Sequence, residues 1–426
     1  MFILLVKCIP LATAKAILIP EKLPGPVFTR IEKLLSRTVF LFFNKSKISR
    51  FNNSYLTLLV CRSLIKKLFS FNKAMESFFP VQLMIKKFLL ILLIIFIITP
   101  IDHLSANVKD KGVIVLMYHR FDENRYPSTN IKMSDFIKQL DLIKKNNFKF
   151  ISAEQFEDSL KNDQESKKLL ITIDDAFSSF YENAWPLLKK EQIPFILFVN
   201  TREVGSRGYM NWDQLKEISK EPFVHIGNHG YSHDYLVDKS DQEIIDDIKL
   251  ANKDFEGNLK SSTTFFSYPF GEYSLNFKKI VKDFGFKFAF GQHSGVADET
   301  KDIYEIPRFP INETYGEVKR FETILKTIPF KFKSITPSDN YIQDNNNPPK
   351  VTIDFYEENK NLNLINCYSN ELDTWKKSDI EFIDDYKLKI NLNGKYTTER
   401  GRINCSLREE DGSWRWLGIQ FVIANL

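Results

Sequence analysis

KGVIVLMYHRF (111–121) is the stretch from which a fold becomes legible. Its apolar run is continuous rather than alternating and ends in polar residues, the pattern of a strand buried on both faces, as in the parallel sheet of an α/β fold. Downstream, SDFIKQLDLIKKNN (134–147) predicts a helix capped by Ser134, with Phe136, Ile137, Leu140, Leu142 and Ile143 on one side. Strand-like runs then alternate with helical ones. The strands are FKFIS (148–152), KLLITID (168–174), PFILFV (194–199), FVHIGNH (223–229), TTFFSYPFG (263–271) and FKFAFGQH (286–293). About seven parallel βα units predict a closed or nearly closed barrel, which keeps its chemistry just after the strands.

The polar residues of interest sit at those strand ends. His119 ends the first strand, Asp174 and Asp175 the third, His229 and His233 follow the fifth, and Tyr268 to Gly271 and His293 end the next two. Three of only six histidines fall within residues 225–233. Neutral imidazole is a common ligand of borderline transition metals, so His229 and His233 form a candidate half-site. His225 lies on the apolar strand itself and reads as structural. Two adjacent carboxylates after an apolar strand are costly to bury unless one binds a cation or both are solvated. Their side chains point to opposite sides of an extended chain, which suits one aspartate on a metal and the other as a base. As a bland alternative, Asp also caps helices, and a helix follows.

TIDDAF (172–177), NHGYSH (228–233) and SYPFGEYS (267–274), in this order, resemble the polysaccharide deacetylase family, also called the NodB-homology group or carbohydrate esterase family 4. The resemblance covers roughly residues 111–312. It implies a distorted (β/α)7 barrel and metal-dependent removal of acetyl groups from N-acetylated sugars. It further implies Asp175, His229 and His233 as metal ligands and Asp174 as the catalytic base. YHRF (118–121), MNWDQLKEI (210–218) and IPRF (306–309) are most similar to the branch that deacetylates poly-N-acetylglucosamine in the periplasm. The chain departs from the family pattern at three points. Ala176 stands where Gly is usual, Ser267 stands where an Arg normally orients the base, and no Leu-x-His motif follows residue 300. Arg308 is the candidate replacement cation, and the acid imidazole comes from His119 or His293, with His119 first.

On this reading a divalent metal, zinc first with nickel, cobalt or iron as alternatives, lowers the pKa of bound water to about 7. Asp174 takes its proton, the oxyanion is held by the metal and the backbone N–H of Phe270 after Pro269, and His119 or His293 protonates the leaving amine. Tyr268 and Phe270 are candidate sugar-stacking surfaces, against the commoner role of aromatic residues as core. Two other classes stay open. A His–His–carboxylate set also holds Fe(II) in oxygenases, but leaves Asp174 without a role. A non-catalytic carbohydrate-binding protein would keep the barrel and lose the metal.

Charge excludes another class. Residues 1–83 hold thirteen Lys or Arg against three Glu and no Asp, which leaves 46 bases against 51 acids in the remainder. An acidic body without a basic stripe is not a nucleic-acid binder. The first 83 residues read as upstream leader. MIKKFLLILLIIFIITPIDHLSA (84–106) has the basic start, apolar run and small-residue end of a signal peptide, and its run falls short of the roughly twenty residues of a membrane span. Met84 is therefore the expected start, with cleavage near Ala106 or retention as an inner-membrane anchor. A periplasmic or extracytoplasmic location, with a polysaccharide containing N-acetylglucosamine as partner, follows.

The barrel domain is expected over 107–335 and a polar linker, TPSDNYIQDNNNPPK, over 336–350. Short strands between Asn, Asp and Gly turns then predict a small β-sandwich over 351–426. Cys367 and Cys405 are the two cysteines outside the leader, and an oxidising compartment would join them in a disulfide.

Overall fold

The run VIVLMY forms strand β1, Val113–Tyr118, with all six side chains buried. The computed structural model of the chain describes residues 112–161 and 167–424, all inside the unit Leu104–Leu426. The expected leader and signal segment, 1–83 and 84–106, lie outside the described residues. Among the described residues no helix is long and apolar enough to cross a membrane.

Five more strands continue the sheet: β2 (Lys168–Asp174), β3 (Phe195–Val199), β4 (Val224–Asn228), β5 (Phe265–Ser267) and β6 (Phe288–Phe290). Each lies parallel to its predecessor, so spatial order follows chain order. Seven helices accompany them: α1 (Met133–Lys145), α2 (Ala153–Lys161), α3 (Trp185–Glu191), α4 (Trp212–Ile218), α5 (Asp241–Leu259), α6 (Leu275–Asp283) and α7 (Val318–Ile324). Capping boxes start α4 (Asn211 with Gln214) and α5 (Ser240 with Glu243). The expected Ser134 cap of α1 is absent. That helix begins one residue earlier, where the Asp122 carboxylate accepts the Met133 N–H at 2.8 Å from a distant loop.

The sheet curls into a half-barrel rather than closing through a seventh βα unit. FKFIS, expected as a full strand, pairs only over Lys149–Phe150, at the side of β2. Between β6 and β1 the chain instead runs as an irregular extended segment, 303–311. Ile306 donates its N–H to Ala289 at 2.9 Å and accepts that of Gly291 at 3.0 Å. Phe309–Pro310 then lies parallel to β1, opposite Leu116 and Met117.

Alternation along the strands sorts two cores. Ile114, Leu116, Ile171, Ile173, Phe195 and Leu197 pack outward under the helices, whereas Val113, Val115, Leu170, Ile196, Phe198, Phe290 and Ile306 fill the inside. Thr172 and Asp174 keep step with Leu170, so the period of two aims the Asp174 carboxylate inward.

Downstream, β7 (Phe332–Thr336), β8 (Val351–Phe355), β9 (Asn366–Ser369), β10 (Asp379–Phe382), β11 (Lys387–Asn391), β12 (Arg400–Arg408) and β13 (Trp414–Ile423) build two further sheets. One is ordered β7-β8-β11-β10; the other, of six strands, centres on β13-β12-β9. The segment 336–350, expected as a linker, adds Tyr341–Ile342 parallel to β13. Both sheets feed one core that includes Val351, Ile353, Leu388, Ile403 and Phe421. On β12, Gly401, Ile403, Cys405 and Leu407 face that core, and Arg400, Arg402, Asn404 and Ser406 face away. Cys367 and Cys405, direct partners across β9 and β12, are joined by a disulfide.

Candidate active site

Inside the half-barrel, Asp174 and Arg308 form a fully buried ion pair. Two parallel bonds run from the guanidinium to the carboxylate, Nη1 to Oδ1 at 2.7 Å and Nη2 to Oδ2 at 2.8 Å. The remaining donors are also used: Nε on the Gly291 carbonyl at 2.8 Å, Nη1 on Thr172 Oγ1 at 3.1 Å and Nη2 on Ser267 Oγ at 2.9 Å. All five N–H groups of Arg308 are thereby satisfied, the condition under which a buried charge is tolerable. Burial pushes the Asp174 carboxyl up, but Arg308, His229 and His119 outweigh it and hold the group below its ordinary value. The extended closure segment places this arginine, since Arg308 donates its N–H to the His293 carbonyl at 2.9 Å immediately before Phe309 pairs with β1.

Immediately after β2 the backbone turns left-handed at Asp175 (φ 73°) and Ala176 (φ 53°), a turn held by the Met210 N–H on the Ala176 carbonyl at 2.9 Å. Asp175 Oδ1 lies 3.4 Å from His229 Nε2 and 3.2 Å from His233 Nε2. One ligand atom from each of the three falls within 4.8 Å of the others. Asp175 Oδ1 and His229 Nε2 are buried without a hydrogen-bond partner. His229 Nδ1 sits 2.6 Å from the Ser267 carbonyl, which fixes the proton on Nδ1 and turns the Nε2 lone pair toward Asp175. Two imidazoles and a carboxylate with orphaned, converging lone pairs fit a divalent transition metal. Burial raises the Asp175 carboxyl, but the charge of His233 and the close approach of both imidazoles hold it well below its ordinary value. His233 is lowered by burial and raised more by Asp175, so its net shift is upward.

Asp175 and His233 open on a cleft of ≈ 670 Å³, also lined by His119, Phe270 and His293. Phe270 (φ 58°) sits in the single turn Pro269–Gly271, its ring 4.5 Å from His233 and stacked on Tyr235 at 4.3 Å. Tyr268 is different. It is fully buried, and its hydroxyl donates to the Tyr304 carbonyl at 2.9 Å, so it belongs to the core and offers no stacking surface. Burial, opposed by the charges of Asp175 and Asp174, lowers His119. Burial and the charges of Lys278, Lys301 and Arg308 push His293 down to about 3. His225 is remote from this group, 3.5 Å from Glu154 and packed on Phe265.

Several supporting residues escape a reading of motifs. Asp247 on α5 accepts the N–H groups of Tyr231 at 2.7 Å and Ser232 at 2.9 Å, clamping the loop between the two histidines. Gly230 (φ 77°) must lack a side chain there, because a Cβ would meet Asp247 Oδ1 at 2.8 Å. The one available signal was an acid in step with Ile244, Ile248 and Ala251 on the buried face of α5. Gln420 of β13 is nearly buried, and its Nε2 lies 3.3 Å from the Gly271 carbonyl, so the six-stranded sheet braces the Phe270 turn.

Residues 161–289 match the family model for polysaccharide deacetylases. The poly-β-1,6-N-acetyl-D-glucosamine N-deacetylase of Staphylococcus aureus strain MSSA476 is 26% identical over 283 residues, which is 56% of this chain and 97% of that protein. Among solved structures, IcaB from Ammonifex degensii is 26% identical with a TM-score of 0.46, covering 51% of this chain and 98% of that one. The Streptococcus pyogenes deacetylase PplD is 22% identical with a TM-score of 0.46, covering 50% and 98%. With the motifs at their strand ends, the family match supports a polysaccharide deacetylase domain of the carbohydrate esterase family 4 type within this chain. That domain is related to the poly-N-acetylglucosamine N-deacetylases.

Proposed function

We propose that the chain is a metal-dependent hydrolase that removes acetyl groups from N-acetylglucosamine units of an extracytoplasmic polysaccharide. The observation that carries this reading is the pair of orphaned lone pairs on Asp175 and His229, beside His233 and next to a carboxylate gripped by Arg308. Asp175, His229 and His233 would hold the metal, zinc first by its donor set. Bound there, it would supply Lewis acidity toward the acetyl carbonyl and an activated water.

Asp174 would act as the base toward the attacking water. Arg308 keeps its carboxylate ionised and fixed in orientation, in the place of the arginine that Ser267 lacks. The backbone N–H of Phe270 would serve as the second donor to the developing oxyanion. His119 would protonate the leaving amine: burial lowers both imidazoles, but the charges of Asp175 and Asp174 oppose it at His119, whereas Lys278, Lys301 and Arg308 add to it at His293. The cross-strand disulfide supports an oxidising, extracytoplasmic setting. The division we favour keeps 107–335 as the deacetylase half-barrel and 351–426 as the bulk of a β-sandwich, to whose two sheets Phe332–Thr336 and Tyr341–Ile342 also contribute.

Acetate release from N-acetylated β-1,4 and β-1,6 glucosamine oligomers tests the reading. Wild type should release acetate, lose it with a chelator and regain it with zinc; Asp174→Asn and His229→Ala should be inactive. Chelator-resistant release, or equal release by Asp174→Asn, would refute it.

A further inference from the structure

The cleft has two walls of different origin. The Asp175 and His233 side belongs to the half-barrel, and the facing side is the polar face of the six-stranded sheet, with Arg402, Asn404, Trp416 and Gln420. Register makes this a continuous surface: Arg402 stands opposite Gln420, and Asn404 opposite both Gly418 and Tyr368. Trp416 is tied to it by its Nε1 on Asn404 Oδ1 at 3.1 Å and packs edge-on against Phe309 of the closure segment, at 5.7 Å.

The charge of this lining is one-sided. Arg320, Arg400 and Arg402 all contribute, while the one carboxylate among the lining residues is Asp175, which the metal site engages. Arg400 has its own counter-ion, the nearly buried Glu272. Among the described residues, Arg320 and Arg402 have no carboxylate at ion-pair distance. Arg402 donates to Gln420 Oε1 at 3.3 Å, and Arg320 to the carbonyls of Tyr315 at 2.5 Å and Pro310 at 3.4 Å. Both line the same cleft as Tyr315, over whose ring Arg320 lies at 5.0 Å. Burial lowers Arg402, and pushes Arg320 down to about 10. Partly desolvated guanidinium groups without an anion are a cost to the fold that a bound anion would relieve.

A neutral N-acetylglucosamine polymer offers these arginines hydroxyl and carbonyl acceptors but no anion to pair with, and the ammonium product of its deacetylation would be repelled. We infer that Arg320 and Arg402 form an anion-binding subsite for an acidic substituent, a carboxylate or a phosphate, carried by the glycan near the acetamido group that is cleaved. The inference rests on the deacetylase reading for the position of that acetamido group. Exposed Tyr315, Tyr368 and Trp375 on the same lining add stacking faces for the neighbouring sugars.

The test uses the zinc-loaded full chain and glycans matched in backbone. The first probe is a tetrasaccharide of alternating β-1,4-linked N-acetylglucosamine and N-acetylmuramic acid, and the second is the same molecule with its lactyl carboxylates amidated. Chitotetraose and a 6-phosphorylated chitotetraose complete the β-1,4 set, and β-1,6-linked tetramers with and without a 6-phosphate at the free end cover the other linkage. Binding is followed by calorimetry on wild type and on Asp174→Asn, so that no turnover is needed; acetate release is measured separately.

Charged probes should bind at least about tenfold more tightly than their neutral partners, as expected for a charge-assisted contact. In Arg402→Gln, and independently in Arg320→Gln, that ratio should fall toward one, with circular dichroism confirming that each variant folds. Preference for the carboxylate or for the phosphate form identifies the anion. Equal affinity for charged and neutral probes, an unchanged ratio in both variants, or no binding of any charged probe would overturn the subsite. Acetate release from neutral glycans without a charge preference would sink the subsite and leave the deacetylase reading standing; charge-selective binding without acetate release by wild type would do the reverse.

Discussion

Replacing Arg308 by Gln removes one side of a fully buried ion pair and leaves the other side in place. The guanidinium makes five hydrogen bonds, two of them to Asp174, between the rings of Phe198 and Phe290. A neutral amide of shorter reach replaces at most two. Breaking a buried pair by removing one partner costs about 3–5 kcal/mol, because the remaining charge has no water to turn to. For a domain of this size that corresponds to a melting temperature lower by about 6–20 °C.

The cost depends on pH in a direction that can be worked out. Asp174 is depressed below its unfolded value in the native chain, so its contribution to stability is present above the unfolded pKa of about 3.9 and is lost as pH falls through the native value. Without Arg308 the burial of Asp174 is opposed only by His229 and His119, and the carboxyl rises. The acid limb of kcat/KM should then move to higher pH, because the base is ionised over a narrower range. A thermal and denaturant-unfolding cycle of wild type, Arg308→Gln, Asp174→Asn and the double variant measures the coupling, and a pH–rate profile measures the limb. We expect the double variant to be more stable than Arg308→Gln. Additive losses within about 0.5 kcal/mol, with an unmoved acid limb, would refute the assignment of Arg308 as the group that keeps Asp174 charged.

Other perturbations probe the rest of the site. His233→Ala should abolish stoichiometric metal in elemental analysis and lower kcat/KM by at least about a hundredfold, since two ligands do not hold a catalytic ion. His119→Gln should lower kcat by about 10²–10⁴ and remove the alkaline limb of the profile, whereas His293→Gln should keep that limb; the reverse outcome would make His293 the acid. Asp247→Ala deletes the acceptor of two backbone N–H groups and should cost about 2–3 kcal/mol in urea unfolding and about 10–100-fold in zinc affinity by competition titration. Cys367→Ser with Cys405→Ser opens a 38-residue cross-link and should lower stability by about 4 kcal/mol in denaturant unfolding.

How much of this was legible in the sequence follows from the range over which each signal acts. Continuous apolar runs ending in His, Asp or Asn locate β1 to β4 and the site residues at their ends, because burial on both faces and the strand-end position are both local. The expected strand FKFIS shrinks to Lys149–Phe150 at the side of β2, although Ile151 just beyond it is buried in the inner core and donates its N–H to the Leu169 carbonyl at 3.0 Å. Closure was misjudged as well. Residues 303–311 lack a helix and a period, yet their hydrogen bonds to β6 and β1 bridge the sheet, and no pattern within the segment announces pairing to partners so distant in the chain. The wall that β12 and β13 give to the cleft depends in the same way on tertiary placement, although the alternation Arg400, Arg402, Asn404 already showed that one face of β12 is polar.

Backbone conformation explains why the site departs from its family pattern and still assembles. Asp175, Ala176, His233 and Phe270 all have positive φ without being glycine. At about 1–2 kcal/mol for each such residue, the site carries a strain that its surroundings must hold. Each has a visible restraint: Met210 on the Asp175–Ala176 turn, Asp247 on the loop before His233, and Gln420 on the turn of Phe270. Ala176 stands where glycine would be free of the penalty, but its methyl is buried in the outer core, and the apolar area it removes from water offsets part of the cost. The third restraint comes from β13. The downstream sheets therefore bear on the geometry of the reacting centre as well as on the shape of the cleft, and a chain cut before β13 would keep every motif residue while leaving Phe270 unbraced.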